Sequence, residues 1–321
     1  MTPTDPGRWL PWERAWRDAL YGERGFYRRP EGPAGHFRTA SHAAPSALAA
    51  AIARLARRAR CSGVVDLGAG RGELLTALAR HDDAETMRPL RLHGVDLVER
   101  PALLPHSVAW TRSDQGIPYS AFEESLVVAW ELLDTVPCPV LEVAGDGRAR
   151  VVLVEPSSGR ERLDGAPRDE DLRWCATWWP AADRAEGARI EVGHPRDAWW
   201  SGHVGLLHRI GGGLLLAVDY THTAVDRPSL GTLSGYRRGR LVPPVPDGSC
   251  DVTAHVAIDA VEAAGRTAGG APGVLAPQHE ALRALGVRGD EPGADEVLDP
   301  DGLGGFTWLL QAVGGVTPAL G

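Results

Sequence analysis

The residues of this chain with the plainest chemical content lie in VVDLGAGRGELL, positions 64–75. An apolar run ends at Asp66, glycines stand at the alternate positions 68, 70 and 72, and a helix-forming run follows. Alternate glycines let the backbone turn tightly and pass unusually close to a bound molecule. A dinucleotide loop asks for Gly-x-Gly-x-x-Gly, but the place of its third glycine is taken by Glu73. A carboxylate there suits the helix dipole and repels a pyrophosphate arriving at the same end. The pattern therefore favours a phosphate-free, cationic nucleoside, and S-adenosylmethionine is the cofactor expected. Asp96 ends the next apolar run, where a doubly wound sheet places a carboxylate for ribose hydroxyls. Asp114 follows the third run, as a reader of the adenine amine or as an ordinary turn residue.

A second group follows the apolar run Leu126 to Trp130: Glu131, Leu132, Leu133 and Asp134. Open α/β sheets bind ligands at the C-terminal ends of their strands. Methyl transfer from a sulfonium is an in-line displacement at an activated carbon, so the protein has only to position the nucleophile and take its proton. Glu131 and Asp134 can pair with a cationic nitrogen acceptor and hold its lone pair in line. Against this stand a structural salt bridge at Glu131 and a helix cap at Asp134. His36, His42, His222 and His255 lie in loops or at element ends, where a base for a small-molecule oxygen or nitrogen acceptor belongs. Singly, each also reads as a structural histidine. The Tyr236–Arg237–Arg238–Gly239–Arg240 run suits closure over substrate, an acidic partner surface or plain solvation.

These residues need elements to place them. Trp9 to Leu20 is amphipathic at helical spacing, and Tyr21 to His42 reads as a long loop of the kind that forms lids. Pro45 opens an alanine-rich helix through Arg60. Strands at Val64–Leu67, Arg91–Asp96, Val108–Thr111 and Leu126–Trp130, with a helix over Glu73–His81, indicate an open, mostly parallel α/β sheet. The Gly-Asp-Gly turn within Val140–Val154 predicts a hairpin that opens an insertion, continued by a helix over Asp169–Pro180. A helix over Arg196–Ile210 precedes the buried strand Leu214–Tyr220. A loop over Thr232–Pro246, helices near Ala257–Arg266 and Gln278–Leu285, and a strand over Phe306–Val313 complete the chain. The organisation expected is an N-terminal helix and lid (1–45), a cofactor half (46–140), an insertion (141–210) and the remaining core with pocket loops (211–321).

At 321 residues, 43% hydrophobic and 24% charged, the chain can form one large or two modest domains. All 34 basic residues are arginine, and the net charge is −8. That balance argues against nucleic acid and suits a cationic acceptor. No apolar run approaches the roughly 20 residues of a membrane span, and the N-terminal residues lack a signal-peptide core, so neither a membrane partner nor export is expected and a cytoplasmic location is. Cys61, Cys138, Cys175 and Cys250 lie singly, which predicts reduced structural thiols and no metal site. A homodimer stays open.

With these motifs in place, the chain resembles the MidA family of S-adenosylmethionine-dependent methyltransferases. Mitochondrial members of that family act as respiratory complex I assembly factors and methylate an arginine of a complex I subunit. The resemblance extends over nearly the whole chain. It is carried by Tyr21–Tyr27 (YGERGFY, similar to YGPxGYY), Phe37 and Thr39, the Asp66–Glu73 loop, Glu131–Pro137 (similar to NELLDALP), Asp219–Tyr220, TLSGYRRG at 232–239, DVTAHV at 251–256, and Gln278 with Leu282 and Gly286. It implies a Rossmann-like class I methyltransferase sheet with an N-terminal lid and inserted hairpin and helical elements. Asp66, Gly68, Ala69, Gly70, Gly72, Asp96, Leu97, Asp114 and Trp130 are the expected cofactor contacts. Glu131, Asp134 and His255 are the expected catalytic residues, and Tyr27, His36, Phe37, His42 and Tyr220 the expected acceptor pocket. The chain departs from the family pattern at His36 and His42, where carboxylates are usual, and at Trp130, where asparagine is. Three readings follow: a protein-arginine methyltransferase, a small-molecule O- or N-methyltransferase with a histidine base, and a binding or assembly protein that keeps the fold without turnover.

Overall fold

A computed structural model describes residues 7–29, 39–85, 89–180, 184–317 and 320. The chain divides into two compact units, each drawn from separate stretches of sequence.

The larger unit takes residues 38–133, 200–220 and 262–321. Its centre is a sheet of seven strands: β1 Gly63–Leu67, β2 Arg91–Asp96, β3 Val108–Arg112, β4 Ser125–Trp130, β5 Gly213–Asp219, β6 Val274–Pro277 and β7 Thr307–Val313. They lie in the order β3-β2-β1-β4-β5-β7-β6; β1 to β5 pair in parallel, and β7 runs antiparallel to both β5 and β6. β1 and β5 are buried at every position, as near-continuous apolar runs must be in a parallel sheet covered on both faces. The helix Pro45–Arg58 starts on proline and carries Arg57 and Arg58 in its last turn, so both ends suit the helix dipole. It lays Leu48, Ile52 and Leu55 against Val64, Leu126, Val128 and Leu216 of the sheet. The helix Glu73–Glu85 follows β1 and packs against β2, β3 and the helix Pro45–Arg58. After β1 the chain builds outward through β2 and β3, then returns to build β4 and β5 on the other side. That reversal is where doubly wound sheets open a ligand crevice. The unit has the Rossmann-like α/β architecture expected of the sequence.

The smaller unit takes residues 1–37, 134–199 and 221–261. Val140–Val143 and Ala149–Val154 form the expected hairpin, extended by Arg189–Glu191, Glu161–Leu163 and Leu10–Pro11 into a five-stranded antiparallel sheet. The helix Trp12–Tyr21 buries Trp12, Trp16 and Leu20 against Val140, Val152 and Val252.

Two expectations need correction, and one strand is new. Trp9 lies outside the first helix, because Pro11 fixes an extended entry and residues 10–11 pair with Leu153 and Val154; Arg162 covers the Trp9 ring instead. The segment 232–246 is not a plain loop. Ser234–Arg237 pairs with Arg240–Val242 around Arg238 and Gly239, whose φ of 51° and 74° make the two-residue turn a tight hairpin demands. The short β6 joins the sheet at its edge, where the terminal Pro277 needs no ladder donor. Among the described residues, no helix is long and apolar enough to cross a membrane.

Candidate active site

In the larger unit the candidate site grows from the C-terminal ends of β1, β2 and β4. Gly68, Gly70 and Gly72 all hold positive φ, and the amides of Gly68 and Ala69 donate to the Val95 carbonyl at 2.9 and 3.1 Å. Gly72 holds φ 76°, which L side chains rarely adopt, and a Cβ there would also push Leu104 Cδ1 aside. Asp96 ties the loop to β2: its Oδ2 accepts from the Gly70 amide at 2.8 Å, and its Oδ1 from those of Leu97 and Val98 at 2.6 and 3.3 Å. Burial raises its pKa, against the three amides that favour the charge.

Asp66, only 4% exposed, is pushed up to about 8 by burial first and then by the charges of Asp96 and Glu73. Burial presses Glu73 upward too, yet the hydrogen bond and charge of His42 and the amides at its helix start hold it below the usual value. His42 Nε2 lies 3.4 Å from Glu73 Oε1, and its Nδ1 2.7 Å from Thr39 Oγ1. The result is a glycine cradle that side chains would fill, edged by three carboxylates. The charge of Glu73 and Asp96 fits a positively charged nucleoside and opposes a pyrophosphate. Asp66, Gly68, Ala69, Gly70, Gly72, Asp96 and Leu97 would hold S-adenosylmethionine.

Glu131 leaves β4 in a conformation that L residues rarely adopt, with φ 51°. Its amide donates to the Val218 carbonyl at 2.8 Å, and its Oε1 accepts from the Ala40 amide at 3.3 Å. Beside it, Trp130 meets Trp308 edge-on at 5.6 Å, with its indole N–H buried and without an acceptor among the described residues. Asp219, fully buried, receives the Leu133 amide at 2.9 Å and so fixes the start of the acidic segment. Tyr220 meets Phe306 edge to face at 4.1 Å. Asp114 sits apart, held at the surface by Arg112, whose Nε reaches Oδ1 at 3.0 Å; reading adenine would require it to leave that pair. His36 and Phe37 lie outside the described residues.

In the smaller unit, the Tyr27 hydroxyl donates to Asp251 at 2.9 and 3.0 Å, and burial and then the Asp251 charge hold the phenol pKa well above its ordinary value. Tyr27 stacks on Tyr21, whose hydroxyl bonds Thr135. Asp134 is nearly buried, and that burial pushes it up to about 6 against the opposing charge of Arg196. The His255 imidazole reaches solvent, yet the protein packed around it and the Arg196 charge hold its pKa low. His222 is a different histidine: burial and then Arg227 push it down to about 3, and its Nδ1 accepts from Arg227 Nη1 at 2.7 Å. It stays neutral and structural in the physiological range. Sequence reading gave no role to Arg196 or to Asp219 on its own, because their partners are main-chain groups supplied by tertiary structure.

Residues 47–273 match the model of a family described as "putative S-adenosyl-L-methionine-dependent methyltransferase". In fold the chain is similar to a superfamily protein from Burkholderia thailandensis solved with S-adenosyl-homocysteine bound: 22% identity, TM-score 0.78, covering 98% of this chain and 90% of that one. A native crystal structure of a superfamily protein from the same organism gives the same figures. No curated protein matches the chain in sequence. With well over half of its residues inside the family model, the chain belongs to this family of S-adenosyl-L-methionine-dependent methyltransferases, and S-adenosylmethionine is its cofactor.

Proposed function

We propose that the chain methylates an arginine side chain of a protein partner, the activity that its resemblance to MidA proteins implies. The observation that carries this reading is Glu131, a carboxylate on a strained backbone at the ligand-binding end of β4. A non-glycine residue held at positive φ costs of order 1–3 kcal/mol and persists where the surroundings enforce it, most often at functional sites. A carboxylate so placed pairs with a planar guanidinium in two parallel hydrogen bonds and fixes the direction of the remaining nitrogen.

When bound, S-adenosylmethionine supplies a methyl carbon activated by the adjacent sulfonium. A guanidinium nitrogen would take that methyl group, leaving S-adenosyl-homocysteine, and would give up one proton. Glu131 orients the nitrogen and offers an oxygen for that proton. Asp134, three residues further along the chain, supplies a second negative charge. Trp130, where the family has asparagine, offers a ring face to the cation.

The test is methyl labelling of a protein extract with tritiated S-adenosylmethionine. Label is expected in arginine of a protein and is expected to fall at least a hundredfold in Glu131→Ala, about the scale of a lost orienting group. Binding of S-adenosyl-homocysteine should stay within about a factor of three, roughly 0.6 kcal/mol. Label confined to small molecules would sink the reading.

A further inference from the structure

We infer that Arg196 is a positioning residue for methyl transfer, its guanidinium clamping together the two backbone segments that carry Asp134 and His255. The inference rests on the acceptor role proposed above for Asp134. Arg196 is 1% exposed and lies in the first turn of the helix His194–Arg209. Its planar fork donates in three directions: Nη2 to the Asp134 carbonyl at 2.9 Å, Nε to that of Val136 at 3.2 Å, and Nη1 to that of His255 at 2.8 Å. Its flat face covers the Trp16 ring at 5.7 Å, and Trp16 is itself fully buried.

The clamp closes on itself. The Ala254 amide also donates to the Asp134 carbonyl, at 3.1 Å, and the His255 amide donates to Thr232 Oγ1 at 2.9 Å. Segments distant in the chain are thus locked to one rigid group, and lysine, with a single ammonium, cannot reproduce three divergent donors. The acceptors are all main-chain carbonyls, so the same cation also acts on nearby titratable side chains. It opposes the burial that raises Asp134 and joins burial in lowering His255. Tyr27 of the N-terminal turn and, behind its hydroxyl, Asp251 also stand about Asp134.

The experiment measures transfer from tritiated S-adenosylmethionine to the same protein extract across a pH series, using full-length wild type, Arg196→Lys, Arg196→Met and Asp134→Asn. In wild type, kcat/KM should fall as pH drops through about 6, where Asp134 takes up its proton. Arg196→Met should move that acid limb to higher pH and lower the plateau roughly ten- to a hundredfold, with S-adenosyl-homocysteine affinity unchanged. Arg196→Lys keeps the charge and loses the fork, so its limb should stay in place while its plateau drops. A purely structural arginine would move folding and leave the limb of the folded fraction where it was. If Asp134→Asn lowers the rate while both Arg196 variants keep the wild-type plateau and limb, the inference on Arg196 is overturned alone. If Asp134→Asn retains full rate, the acceptor role of Asp134 fails first. Should Arg196→Met not fold, the plateau of Arg196→Lys decides.

Discussion

Asp66 keeps its proton at neutral pH because it is buried beside two other carboxylates, and it loses it only near pH 8. In the unfolded chain the same carboxyl ionises at about 3.9. The folded state therefore binds more protons between those values, and its stability falls as pH rises through that window. Asp66→Asn, which never ionises, should melt higher than wild type at pH 8 and match it at pH 4, as read by thermal unfolding. Function runs the other way: a bound cation favours the charged carboxylate, so affinity for S-adenosylmethionine should climb toward pH 8, with proton release visible by calorimetry in buffers of different ionisation enthalpy. Affinity that is flat over this range would disprove the coupling. The tight loop Asp66–Glu73 was legible from sequence because Asp66, the alternate glycines and Glu73 form one local pattern. Arg196 was not, since the three carbonyls that define its role come from segments far apart in the chain.

At the level of elements, the hairpin of Ser234–Arg237 and Arg240–Val242 carries a local cost that sequence alone does not reveal. Its turn needs positive φ at both central residues, and Arg238 occupies the first of them with φ 51°. An L side chain there costs roughly 1–2 kcal/mol, a penalty that asparagine largely escapes. Arg238→Asn should stabilise the protein by about 0.5–1 kcal/mol in urea unfolding, and a loss of stability would mean that the arginine makes a contact of greater worth. The main helices and the buried strands were predictable because 3.6-residue periodicity and unbroken apolar runs are written along the chain. β6 and the short strands at Arg189–Glu191 and Asp251–Thr253 were not, because their identity comes from the neighbour they pair with. The same holds for the first helix: its tryptophan spacing was visible, whereas its start was set by Pro11 pairing with Leu153.

For the molecule as a whole, each unit is stitched from several stretches, so the boundaries expected from sequence and the units that pack together follow different logics. Linear reading groups neighbours along the chain, whereas packing groups those that share a core. The strand order carries a further consequence for synthesis. β7 is made after both β5 and β6, yet it lies between them. Until Thr307–Val313 has left the ribosome, β6 has no partner in the sheet, and β5, with LLLAVD on view, presents an open edge able to pair with another chain. Closure of the seven-stranded sheet is thereby deferred until Thr307–Val313 has emerged, a slow non-local step. Chains truncated just before Thr307 should collect in the insoluble fraction, and soluble, S-adenosyl-homocysteine-binding truncates would show that β5 needs no such cover.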